Sequence, residues 1–215
     1  MKTLFAAAAA VALIAGAGAA SAQDFQPKEK GTLMVNFRAT TVAPDETAPI
    51  VTSAGAATGL SAAVNDDTIP SLGIAYFITD KLAIDVTLGT SKHEIDAVGA
   101  GPATRVHETW VLPPVVALQY HPLPAARVSP YVGAGINYML FYNGNDKNGF
   151  KVELDDGFGF ALQAGVDIAV QGPWSVNLDA KKVFFETDAS INGGALKSKV
   201  ELDPWVVSVG LGRKF

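Results

Sequence analysis

The sequence predicts an all-β protein, an eight-stranded antiparallel transmembrane β-barrel, from three observations. Side chains alternate with period two over eight stretches of about ten residues or more, long enough to cross a bilayer at a tilt. The bulky apolar members of each alternation share one face, and the small and polar members share the other. The connections between the stretches are alternately long and short, as they are when the two ends of a barrel face different compartments. A chain of 215 residues suits one such domain, and with 49% apolar and 17% charged residues it is too apolar to stay disordered.

The elements follow in order. Lys2 precedes an unbroken apolar stretch, Leu4 to Ala20, and Ala20-Ser21-Ala22 has the small-residue form of a cleavage site. Residues 1–22 are therefore read as a secretory signal peptide, with the barrel in 23–215. In the first strand, 31–41, Leu33, Val35, Phe37 and Ala39 alternate with Thr32, Met34, Asn36 and Arg38. Strands at 69–79 and 82–91 flank a tight Asp80-Lys81 turn, and strands at 107–120 and 129–142 flank a proline-bounded connection. In the sixth, 157–170, Phe158, Phe160, Leu162, Val166 and Ile168 oppose Gly157, Gly159, Gln163, Gly165 and Asp167. A Gln171-Gly172-Pro173 turn leads to 174–187, and the last strand, 198–215, sets Trp205, Val207, Val209, Leu211 and Phe215 against Ser208, Gly210 and Gly212. Long loops are expected near 42–68, 92–106, 143–156 and 188–197, where Asn143-Gly144-Asn145-Asp146 and Asn192-Gly193-Gly194 carry turn chemistry. The charge-free stretches 109–126 and 128–145 are wrong for membrane helices, since one holds four prolines and the other three glycines.

A soluble barrel would turn its bulky face inward, whereas here small and polar residues suit the narrow interior and bulky ones suit lipid. Aromatic residues should then gather at the two membrane interfaces. This topology puts Trp110, Tyr142, Phe158 and Trp205 at the long-loop rim, and Tyr76, Tyr120, Trp174 and Phe215 at the short-turn rim. Arg38, Asp85, Thr87, Asn137, Gln163, Asp167, Asp179 and Lys181 are predicted to face the lumen as channel-lining residues. Such charges either pair with one another as a structural plug or line a solute path, and the sequence leaves both open.

Four stretches carry a family resemblance. They are Leu112-Pro113-Pro114, Pro130 to Tyr138 (PYVGAGINY), Leu154 to Asp167 (LDDGFGFALQAGVD), and Asp203-Pro204-Trp205-Val206 ahead of a terminal phenylalanine. In this order they resemble the OmpW family of outer-membrane proteins. The resemblance implies a barrel in the bacterial outer membrane with a narrow passive conduit for small hydrophobic or amphipathic molecules. It also implies recognition of the C-terminal strand, through Phe215, by the barrel-insertion machinery. The chain departs from the family pattern at Arg213, where an aromatic residue is usual, and at Lys181, where an apolar or aromatic inward residue is expected.

Other chemistry finds little support. The absence of cysteine removes disulfides, thiolate metal sites and thiol nucleophiles, and a net charge of −5 without a basic run argues against nucleic acid as a partner. His93, His107 and His121 fall at strand ends or loops, and neither G-x-S-x-G nor H-E-x-x-H occurs. No catalytic residue, metal or cofactor is predicted. The alternatives to a conduit are a structural or surface-recognition barrel without flux and, more remotely, a lipid-modifying barrel enzyme.

Overall fold

The computed structural model of the chain describes residues 24–99 and 101–215; the signal peptide expected over 1–22 lies outside them. The chain forms eight antiparallel staves, most of them broken once. The first runs through β1 (Leu33–Ala43), β2 (Glu46–Thr47) and β3 (Pro49–Thr52), and the second through β4 (Ala57–Val64) and β5 (Asp67–Phe77). The third comprises β6 (Leu82–Gly89) and β7 (Ser91–Val98), and the fourth β8 (Thr104–Leu112) and β9 (Val115–Tyr120). The fifth is the single long β10 (Val128–Asp146), and the sixth joins β11 (Val152–Leu154) to β12 (Gly157–Ala169). The seventh joins β13 (Trp174–Phe184) to β14 (Glu186–Ile191), and the eighth joins β15 (Leu196–Leu202) to β16 (Trp205–Lys214). Pairing of β16 with β1, Ala43 opposite Trp205 down to Met34 opposite Lys214, closes the barrel.

The register fixes the barrel's width. Following hydrogen-bonded partners from Leu33 through Tyr76, Ile84, Leu118, Ala134, Leu162, Lys182 and Trp205 returns to the first stave at Ala43, a stagger of ten residues. With about 3.4 Å rise per residue and about 4.8 Å between strands, that stagger tilts the staves by about 40° on a backbone radius of about 8 Å. An interior so narrow is filled by side chains. Gly165 makes room for one of them, because a Cβ there would lie 2.4 Å from the Tyr131 ring.

Much of what the sequence assigns to the four loops is strand. The stretch 42–68 contains β2, β3 and β4; 92–106 holds most of β7 and the start of β8; 143–156 holds the end of β10 and β11; and 188–197 holds most of β14. The reason is an inversion of polarity part-way up the barrel. Along the seventh stave, Trp174, Val176 and Leu178 face out and Ser175, Asn177 and Asp179 are buried inside; further on, Glu186 and Asp188 are outermost while Thr187, Ala189 and Ile191 are buried. A search for bulky apolar side chains on the outer face passes over the second kind of strand.

The breaks lie at this level, and prolines account for those in the first, fourth and eighth staves. Pro44, Pro113, Pro114 and Pro204 have no N–H for the ladder. Side chains replace the missing bonds: Lys92 N donates to Asp67 Oδ2 at 2.7 Å, Phe141 N to Asp156 Oδ1 at 2.8 Å, and Lys182 Nζ to the Asp203 carbonyl at 2.6 Å. Below the breaks the outer face is apolar. From Trp205 to Phe215 the eighth stave climbs about 26 Å at the tilt above, close to the height of a bilayer's apolar band. Seven of the eight expected interface aromatics are exposed on this face, from Trp110 at 37% to Phe158 at 76%. Tyr142, the eighth, is half-buried with its ring 6.4 Å from that of Trp110.

Candidate functional site: an apolar cup above a polar plug

The lumen of the membrane-spanning half is packed with polar side chains, many of them hydrogen-bonded or ion-paired to one another, while single atoms of Arg38, Asp85 and Gln163 have no partner. Asp179 accepts from Tyr131 Oη at 2.7 Å and Gln163 Nε2 at 2.6 Å, and it pairs with Lys181. Arg38 Nε donates to Asn177 Oδ1 at 2.7 Å, and Asn177 Nδ2 donates to Asp167 Oδ1 at 2.7 Å. Asp85 accepts from Thr87 at 3.0 Å and interacts electrostatically with Lys181 and Arg38. Lys181 and Asp85 have no solvent-exposed surface. Interleaving cations and carboxylates in this way is what a narrow interior requires, since a charge left alone there costs several kcal/mol.

The plug is sealed at the short-turn end by a segment preceding the first stave. Gln26 N donates to the Gly172 carbonyl at 2.8 Å and Lys28 N to the Pro124 carbonyl at 3.2 Å, so the segment crosses beneath the barrel. Lys28 turns upward into the lumen, where Nζ reaches Asp167 Oδ2 at 2.6 Å, Ser129 Oγ at 2.9 Å and His121 Nδ1 at 3.1 Å. The His121 ring lies between Phe77 and Tyr131, 4.8 Å and 4.9 Å from their centroids.

All eight residues predicted for the lumen are buried, but they do not form one lining. Arg38, Gln163, Asp167, Asp179 and Lys181 belong to the plug, with Asp85 and Thr87 beside it. Asn137 sits higher and donates to the Pro114 carbonyl at 3.1 Å, bracing the broken fourth stave. Sequence reasoning missed Lys28, Tyr131, Asn177 and His121. Asn177 was within reach, being two residues before Asp179 on the same face.

Above the plug the interior becomes apolar. Thr40, Ser71, Thr87 and Lys181 floor a cavity of about 50 Å³ walled by Val42, Val111, Val115, Met139, Val183 and Val206. Thr40 Oγ1 shares hydrogen bonds with Ser71 at 2.6 Å and Ser208 at 2.8 Å, which ties up hydroxyls at this floor. A second cavity of about 50 Å³ continues outward between Ile50, Val106, Val152, Ile191 and Val200, sharing His93, Val111 and Leu202 with the first. Together they make an apolar cup.

The cup's outer wall is charged and cross-linked. Lys92 pairs with Glu108 at 2.9 Å, Arg105 with Glu94 at 2.7 Å, and Lys199 with Glu186 at 2.7 Å. The Lys92 ammonium holds the Glu108 carboxyl below its usual range. Asp146 is also held low, first by the Val152 N–H and then by His107, whose Nδ1 lies 2.8 Å away. His93 bonds to Ser91 at 2.9 Å and to the Asn65 carbonyl at 2.9 Å, so the two histidines serve different local contacts. Among the described residues no group of three or more His, Asp or Glu is placed to hold a metal ion.

A closed barrel with a lipid-facing apolar band, two aromatic rims and a packed lumen is an outer-membrane β-barrel protein. The chain matches the OmpW family over residues 29–215 and belongs to it. The outer-membrane protein y4mB of Sinorhizobium fredii is 42% identical over 161 residues, covering 73% of this chain and 70% of that one. The dibenzothiophene metabolism operon protein PahQ of Pseudomonas aeruginosa is 31% identical, covering 82% of this chain and 85% of its own. Among solved structures, OprG of Pseudomonas aeruginosa is similar with a TM-score of 0.83 at 28% identity, covering 89% of this chain and 99% of that one.

Proposed function

We propose that the barrel is a narrow passive conduit that takes small hydrophobic or amphipathic molecules from outside into the apolar cup and releases them sideways into the membrane. The observation that carries this reading is the change of the lumen from apolar to polar at one level. A small apolar molecule entering from outside meets valine, isoleucine and leucine side chains down to the floor formed by Thr87 and Lys181. Beneath that floor, passage would mean separating buried ion pairs, at several kcal/mol each. The wall, by contrast, lacks two main-chain N–H donors beside the cup at Pro113 and Pro114, where β8 and β9 part and only the Pro114 carbonyl is tied to β10, and this is the cheaper place to leave. Of the residues predicted as channel-lining, Thr87 and Lys181 border the solute while the others fill the interior. The name of the relative PahQ, which refers to metabolism of an apolar aromatic compound, fits the same class of solute.

Cavities of about 50 Å³ admit only the smallest molecules without side-chain movement, so flux should fall steeply with solute size. The test is uptake into vesicles reconstituted with the protein, using naphthalene as apolar probe and a sugar of similar mass as polar probe. Faster naphthalene entry than in protein-free vesicles, with sugar entry at background, is expected. Equal acceleration of both would indicate a water-filled pore and refute the reading.

A further inference from the structure

Arg213 projects outward from β16, opposite Trp174 of β13. Its guanidinium lies 5.5 Å from the Trp174 ring centroid and 4.7 Å from that of Phe215. Among the described residues no carboxylate pairs with it; Lys182, near the other rim, has Asp45 at 3.3 Å and the Asp203 carbonyl. The rings hold the cation in place through their faces and leave its N–H edge free. Directly above, a groove of about 420 Å³ opens on the lipid-facing surface, lined by Val35, Phe37, Ala39, Gly210 and Leu211 and ending at Trp174 and Phe215.

We propose that this groove seats one glycerophospholipid of the periplasmic leaflet, its phosphate on Arg213 and one acyl chain along Phe37 and Leu211. The level is right, because Arg213 shares the short-turn rim with Trp174 and Phe215, where headgroups meet the apolar band. The charge is right, since a planar guanidinium presents paired N–H donors that match phosphate oxygens. The direction is right as well. From Arg213 to the level of Val209 and Ala39 the groove runs about 14 Å along the strand and, at the tilt above, climbs about 10 Å toward the middle of the bilayer, where a chain attached to that phosphate must lie.

The test is native mass spectrometry of the folded, purified barrel, with folding checked by heat-dependent gel mobility. The probes are dioleoyl-phosphatidylglycerol and dioleoylglycerol, which has the same chains and no phosphate. The wild type should retain one phosphatidylglycerol about tenfold more strongly than dioleoylglycerol, the scale of one charge-assisted hydrogen bond. Arg213→Gln should lower phosphatidylglycerol to the dioleoylglycerol level. Ala39→Phe, which fills the groove and keeps the arginine, should weaken retention of both. Since Ala39 lies on β1 and leaves the sequence of the C-terminal strand unchanged, that variant keeps the test open even if Arg213→Gln inserts poorly. The proposal is overturned if wild type does not distinguish the two lipids, if either variant retains lipid as wild type does, or if millimolar inorganic phosphate displaces the phosphatidylglycerol.

Discussion

Lys181 folds back onto Asp179, two residues earlier on the same inner face, and the carboxylate is also held by Tyr131 and Gln163. Replacing Lys181 by Met leaves Asp179 buried with neutral hydrogen-bond donors and Arg38 as its remaining cation, a loss on the order of 3–5 kcal/mol for a broken buried pair. Urea denaturation of the folded band should show that loss, and Asp179→Asn added to Lys181→Met should recover most of it, because both charges of the pair are then removed and Asp85 remains to balance the Arg38 charge. Gly165→Ala makes a separate prediction. Its Cβ would meet the Tyr131 ring at 2.4 Å and the Leu178 carbonyl at 2.6 Å, and a carbonyl in a ladder cannot move aside, so roughly 1–3 kcal/mol should be lost in the same assay. At this scale the alternation alone placed Arg38, Asp167 and Asp179 inside. Lys28 could not be found that way, because it precedes the first stave and enters the lumen through a bend. Tyr131 stands on a face expected to be small, and only its pairing with Gly165 across the strands explains how it fits.

Among the elements, the upper ends of the fifth and sixth staves are held by carboxylates rather than by a ladder. Asp146 Oδ1 accepts from Val152 N at 3.0 Å, and Asp156 Oδ1 accepts from Phe141 N. Asn143, at φ 51°, supplies the bulge that shifts β10 against β8 between Tyr142 and Asn145. Because folding lowers the Asp146 carboxyl, first through the Val152 N–H, its stabilising effect is complete above the ordinary aspartate value of about 3.9 and is lost as pH falls through the depressed one. Amide hydrogen exchange at Val152, corrected for its intrinsic pH dependence, should therefore lose protection in that acid window, and Asp146→Ala should lose it at neutral pH. The membrane-spanning strands were legible because lipid outside and a crowded lumen inside impose one pattern on each. Their extensions were not, since a charged outer face over an apolar interior is the pattern of a soluble barrel, and the turn-forming Asn143-Gly144 inside β10 looks like the end of a strand.

For the molecule as a whole, a stagger of ten over eight staves sets an interior too narrow for water-filled passage once it is packed with ion pairs, and the inversion of polarity puts an apolar cup on top. In the proposed conduit, small apolar molecules use the cup and leave before reaching the plug. Naphthalene uptake is to be compared in vesicles carrying the wild type, Val111→Trp in the cup, and Lys28→Met with Asp167→Asn, an ion pair deep in the plug and away from both cavities, at matched amounts of folded barrel. Val111→Trp, whose position borders both cavities, should abolish uptake, while the plug variant should take up naphthalene at the wild-type rate. Wild-type uptake by Val111→Trp, or a large change in the plug variant alone, would contradict that route.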